Sequence, residues 1–132
     1  MTNTKYKVLL VEDDKTLTEM YSLKFEKEGF NLSKADNGLS GLELAKKELP
    51  DIILLDIMMP KMDGYAVLTE LKKDSKTKNI PVLMLSNLGQ KSDVEKGKKL
   101  GAKDYVVKAS MTPAQVVDKV KEYLPTGQAG LK

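Results

Sequence analysis

The stretch "DIILLDIMMPKMDG", residues 51–64, decides how the chain is read. Four apolar residues, Ile52 to Leu55, run straight into Asp56, and a loop with Pro60 and the pair Asp63-Gly64 follows. A short run that is apolar at every position predicts a strand buried on both faces, the kind that occupies the middle of a parallel sheet. Asp56 is then either a turn cap or a charged group delivered to a working site where the strand leaves the core.

The same grammar extends outward in both directions. Lys7 to Val11 reads as a second apolar strand, Phe30 to Ala35 as a short, weaker one, and Pro81 to Leu85 and Tyr105 to Val107 as two more. Between them lie segments with helical spacing. Asp14 to Glu28 carries Leu17, Met20, Tyr21 and Phe25 and stops at Gly29, and Leu39 to Leu49 carries Leu42 and Ala45 and ends at Pro50. Tyr65 to Lys73 carries Val67, Leu68 and Leu71, Lys91 to Leu100 is polar and closes at Gly101, and Pro113 to Leu124 begins with a proline in its first turn. Strand then helix, five times over, predicts an α/β fold, a doubly wound five-stranded parallel sheet with five helices.

Composition narrows the function. The 132 residues suffice for one domain with a real core, and no apolar run approaches the roughly 20 residues that span a bilayer. With no signal-peptide pattern at the start, a cytoplasmic location is the expectation. There is no Cys and no His, which removes thiolate and imidazole chemistry and points any metal site to hard, oxygen-bound ions. All 22 basic residues are Lys, so the guanidinium fork that reads guanine is missing, and a net charge of +3 does not imply nucleic acid. Lys96, Lys98, Lys99, Lys103, Lys119 and Lys121 crowd the last third; a solvated face is the first reading, and a surface for an acidic partner the sharper one.

In open parallel sheets, ligands bind beyond the carboxyl ends of the strands. Here those ends carry Glu12-Asp13-Asp14, Asp56, Ser86-Asn87 and Lys108. If the first and third strands are neighbours, at least three carboxylates converge there. Converging carboxylates repel, and a divalent cation such as Mg²⁺ offsets them while also accepting a phosphate oxygen. Asp56 is then a candidate nucleophile for an acyl phosphate, with Lys108 and the Ser86 hydroxyl as partners for phosphoryl oxygens. Singly, each residue has a plainer reading: Asp13 or Asp14 a helix cap, Asp56 a turn residue, Lys108 a surface lysine, Asp63-Gly64 a turn. The convergence is what the plainer readings leave unexplained.

"VLLVEDD", "DIILLDIMMPKMDG", "VLMLSN" and "GAKDYVVK", in this order and spacing, resemble the receiver domain of bacterial two-component response regulators, of the chemotaxis-type, single-domain kind. The resemblance runs over roughly residues 5 to 124, within a receiver domain of residues 1–125 and a flexible tail of 126–132, and the start at Met1 reads as a stand-alone protein. It implies a flavodoxin-like sheet of order 2-1-3-4-5. It implies Asp56 as phosphoacceptor, Ser86 and Lys108 as its partners, and Ser86 with Tyr105 as the switch pair that alters the surface of the fourth helix, fifth strand and fifth helix. The metal, Mg²⁺ with Mn²⁺ as the alternative ion, would be held by Glu12, Asp13, Asp56 and the backbone carbonyl of Met58, with Asp13 the direct ligand and Glu12 acting largely through water. Partners would be a sensor histidine kinase or phosphotransfer protein and a downstream protein target, with no direct DNA binding, no membrane, and a monomer or a phosphorylation-dependent dimer. Turnover would be limited to self-phosphorylation and autodephosphorylation.

The chain departs from the family pattern at Ala109, where proline is usual after the site lysine, and at Asn87, where a small residue is usual. Met58 and Leu88 stand where the family lines the path of the attacking water, and neither orients water well, so slow autodephosphorylation is expected. Two other readings compete. A haloacid-dehalogenase-like phosphatase would need a second Asp where Met58 stands and its nucleophile on the first strand. A degenerate receiver acting only as a binding module would not need the full set Asp13, Asp56, Ser86 and Lys108.

Overall fold

The computed structural model describes residues 6–87 and 91–124. Leu88 and the tail from residue 126 onward lie outside the described residues. Five strands, β1 (Lys7–Val11), β2 (Asn31–Ala35), β3 (Ile52–Asp56), β4 (Val82–Ser86) and β5 (Asp104–Val107), alternate with five helices, α1 (Lys15–Lys27), α2 (Gly38–Glu48), α3 (Gly64–Lys73), α4 (Lys91–Lys99) and α5 (Pro113–Glu122). All strand pairs are parallel, in the order β2-β1-β3-β4-β5, as expected. The chain steps outward from β1 to β2, then crosses back over β1 to β3. That reversal leaves a crevice at the carboxyl ends of β1 and β3.

Alternate residues of the central strands feed two cores. Leu9, Val11, Ile53, Leu55 and Met84 face a cluster built with Val67, Leu68 and Leu71 of α3 and Leu42 and Ala45 of α2. Val8, Leu10, Ile52, Leu54, Leu83 and Leu85 face one built with Tyr21 and Phe25 of α1 and Val116, Val117 and Val120 of α5. Both β3 and β4 are buried at every position, so the doubly apolar signature seen in β3 belongs to β4 as well. Each fully buried aliphatic side chain contributes about 2 kcal/mol, which anchors β3 firmly behind Asp56.

The helices begin at side-chain caps. Asp14 accepts from the Leu17 N–H at 3.1 Å, Asn37 from Ser40 at 2.9 Å and Asp63 from Ala66 at 2.9 Å, and Thr112 and Gln115 form a reciprocal capping box on α5. Of the pair Asp13 and Asp14, it is thus Asp14 that caps, which leaves Asp13 for other work. Gly29 (φ 91°) and Gly101 (φ 113°) take the left-handed conformation just past α1 and α4, where a side chain would be strained. α4 differs from the rest, because its only buried residue is Gly97.

Candidate functional site

β1, β3, β4 and β5 end side by side and set out the site. Asp56 is the last residue of β3, opposite Leu85, and is 3% exposed. Glu12 follows β1 and is 2% exposed, while Asp13 beside it is open to solvent. One oxygen from each of Glu12, Asp13 and Asp56 lies within 4.8 Å of the others. Ser86 is also buried and is the last residue of β4. The N–H of Lys108 donates to the Ser86 carbonyl at 2.8 Å, which fixes the lysine across the cleft from the acids.

The Lys108 side chain turns back into the cluster. Its ammonium is 2.7 Å from Glu12 Oε1 and 3.0 Å from Asp56 Oδ1. Glu12 Oε2 accepts from the Asp14 N–H at 2.9 Å. Burial pushes the Glu12 carboxyl up to about 7, against the pull of Lys108, and pushes Asp56 up as well. Burial alone would lower Lys108, but its bonds to Glu12 and Asp56 outweigh this and hold it above the ordinary lysine value. One lysine thus does not neutralise the cluster. Three hard oxygen donors within reach of one another, one of them an exposed carboxylate at the mouth, suit a small divalent cation.

The loop after β3 wraps the site. The Met58 N–H faces the Asp56 carboxylate, and the Met58 side chain is 71% exposed at the rim. Lys61 takes a left-handed φ of 72° in this loop, and the Gly64 N–H closes it by donating to the Ile57 carbonyl at 2.8 Å. A Cβ at Gly64 would overlap the Asp56 carbonyl oxygen. Asp63-Gly64, read from sequence as a simple turn, is therefore a helix cap followed by a close backbone approach that seats the end of β3. On the far side, all described peptide bonds are trans, so Lys108 and Ala109 join by a trans bond. Asn87 is exposed at the edge of a cavity of about 220 Å³ that also meets Asp56, Met58, Tyr65, Ser86 and Asp93.

Tyr105 is 7% exposed, with its hydroxyl donating to the Asp93 carbonyl of α4. Tyr65, which sequence reasoning passed over, donates to the same carbonyl at 3.2 Å. A third tyrosine was also missed: Tyr21 is 1% exposed, and the charges of Lys108, Glu12 and Asp56 act on its hydroxyl. The expected site residues Glu12, Asp13, Asp56 and Lys108 meet directly; Ser86 and Met58 adjoin them, and Tyr105 lies one shell away, against α4.

The family model for the response regulator receiver domain matches residues 8–121. The chain belongs to this family. It is 41% identical over 104 residues to the protein PilH of Pseudomonas aeruginosa, covering 77% of this chain and 84% of that one. It is 39% identical over 121 residues to the probable transcriptional regulator ycf27 of Guillardia theta, covering 92% of this chain and 46% of that one. The chain thus spans about half the length of the ycf27 regulators it matches. Among solved structures, the chemotaxis response regulator CheY4 of Vibrio cholerae superposes with a TM-score of 0.86 at 29% identity, over 92% of this chain and all of that one.

Proposed function

We propose that the chain is a phosphoacceptor of a two-component phosphorelay, and that Asp56 receives the phosphoryl group. Receiver domains partner with histidine kinases or phosphotransfer proteins. The observation that carries the reading is the buried Asp56 carboxylate held 3.0 Å from Lys108, with two further carboxylates beside it. In the transfer, an Asp56 oxygen forms a bond to phosphorus as the P–N bond of a phosphohistidine breaks, and the imidazole leaves.

Glu12, Asp13, Asp56 and the Met58 carbonyl would hold Mg²⁺ or Mn²⁺. A bound cation would offset the charge of the carboxylates and of the incoming phosphoryl oxygens. The chain's own groups do the rest. Lys108 supplies a positive charge that can pass from the carboxylates to a phosphoryl oxygen. The Ser86 hydroxyl donates to another, and its move toward the phosphoryl group is coupled to Tyr105 and to the surface of α4, β5 and α5. The buried floor of β3 keeps Asp56 from straying and limits access of water. The working unit is residues 1–125, acting in the cytoplasm as a monomer or as a dimer formed on phosphorylation. Direct DNA binding and membrane insertion form no part of this reading.

Incubation with acetyl phosphate and Mg²⁺, read by intact mass, tests it. Wild type should gain one phosphoryl group and Asp56→Ala none. No gain in wild type would favour a receiver that signals by contact alone.

A further inference from the structure

We propose that Tyr65 is a positioning residue that, together with Tyr105, holds the first turn of α4 and couples it to the Asp56 pocket; the coupling rests on Asp56 being the phosphoacceptor. Three observations support it.

α4 is poorly anchored. It buries only Gly97, and Lys96, Lys98 and Lys99 crowd its last turn. Its Val94 packs partly buried against the core, and beyond that the helix is placed by the bonds that reach it.

Two of those bonds converge on one atom. Tyr65, from α3, and Tyr105, from β5, both donate to the Asp93 carbonyl. A Cβ on Gly97, one turn along, would lie 2.8 Å from the Tyr105 hydroxyl, so the small residue makes room for the clamp. The Lys96 ammonium sits 4.4 Å from the centre of the Tyr65 ring and ties the next turn to the same side chain. Burial pushes both hydroxyls up, so each stays protonated and able to donate.

Tyr65 is also joined to the phosphoacceptor through the backbone. It follows Gly64, whose N–H donates to the Ile57 carbonyl at 2.8 Å and whose α-carbon rests on the Asp56 carbonyl. Its side chain shares the 220 Å³ cavity with Asp56, Ser86 and Asp93. A displacement at Asp56 therefore has a route to α4 through α3, beside the one through Ser86 and β5.

Hydrogen exchange of the α4 amides, in wild type, Tyr65→Phe and Tyr105→Phe, tests the clamp. Each is measured before and after acetyl phosphate and Mg²⁺, with intact mass read on the same samples so that exchange is compared at equal phosphoryl occupancy. A urea melt of each variant separates local loosening from global loss of stability. Tyr65→Phe should speed α4 exchange by about fivefold before phosphorylation, the cost of one hydrogen bond, and at least halve the change that phosphorylation causes. Exchange equal to wild type in both states would overturn the proposal. If wild type gains no phosphoryl mass, the Asp56 reading fails and the coupling falls with it, while the unphosphorylated comparison still decides whether the clamp exists.

Discussion

The Lys108 ammonium lies 3.0 Å from Asp56 Oδ1 and 2.7 Å from Glu12 Oε1, so a single positive charge is shared by two buried carboxylates. Removing it leaves two buried carboxylates side by side, with only the Asp14 and Met58 N–H groups to offset them. Lys108→Ala should cost about 3 kcal/mol in metal-free protein, the scale for a broken buried pair. Mg²⁺ should return part of that loss, since it offsets the same charges. Urea melts with chelator and with Mg²⁺ measure both effects. Equal stability of variant and wild type in chelator would mean that the pair is solvated and carries no structural weight.

Much of this was legible in advance because burial and chemistry coincide along the chain. Ile52 to Leu55 reads as a central strand, and the carboxylate at its end, open in the sequence to a turn-cap reading, lies at the ligand edge of the sheet. The same logic placed Glu12, Ser86 and Lys108. What stayed hidden were contacts between side chains far apart in sequence. Tyr65 and Asp93 are 28 residues apart, Tyr105 and Asp93 are 12, and nothing in their local patterns marks them as partners. Gly64 was hidden for a different reason. A turn signal does not reveal that its α-carbon must touch a neighbouring backbone.

That contact at Gly64 makes a sharp prediction. A Cβ there would overlap the Asp56 carbonyl oxygen and crowd the Ile57 α-carbon, both backbone atoms that cannot swing aside. Gly64→Ala should destabilise the protein by about 2 kcal/mol, the range for overpacking. It should also slow phosphoryl uptake from acetyl phosphate, because the end of β3 must shift. A variant with wild-type melting and wild-type uptake would show that α3 can move away freely.

On the proposed reading, the rim of the site bears on how long a phosphoryl group on Asp56 survives. Met58 is 71% exposed and lines the cavity beside Asp56 with a thioether that cannot orient water. Autodephosphorylation of purified protein should therefore be slow. Met58→Asn, which supplies a donor and an acceptor at that place, should shorten the lifetime by roughly tenfold. Following loss of the phosphoryl mass after removal of the donor measures it. Decay within seconds in wild type, or no change in the variant, would show that Met58 does not control water at the site.

Far from the cleft, Asp104 ties β5 to α5. It accepts from the Tyr123 hydroxyl, pairs with the Lys119 ammonium at 3.1 Å and accepts from the Tyr105 N–H at 2.8 Å. Burial alone would raise its carboxyl, but these three partners outweigh burial and hold it below the ordinary value of 3.8. The same hydrogen bond pushes Tyr123 up to about 12. A carboxyl that is more acidic in the folded state binds fewer protons there than when unfolded. Its contribution is thus fully present above pH 3.8 and drains away as pH falls through the lower folded value. Asp104→Asn should cost about 1 kcal/mol at pH 7, the scale of a charge-assisted hydrogen bond at a partly exposed site. The gap between variant and wild type should close as the pH is lowered below 3.8. Thermal melts of both proteins across pH 2.5 to roughly 7 read this directly. A gap that stays constant over that range would mean that the carboxylate charge contributes nothing and that only the shape of the side chain matters.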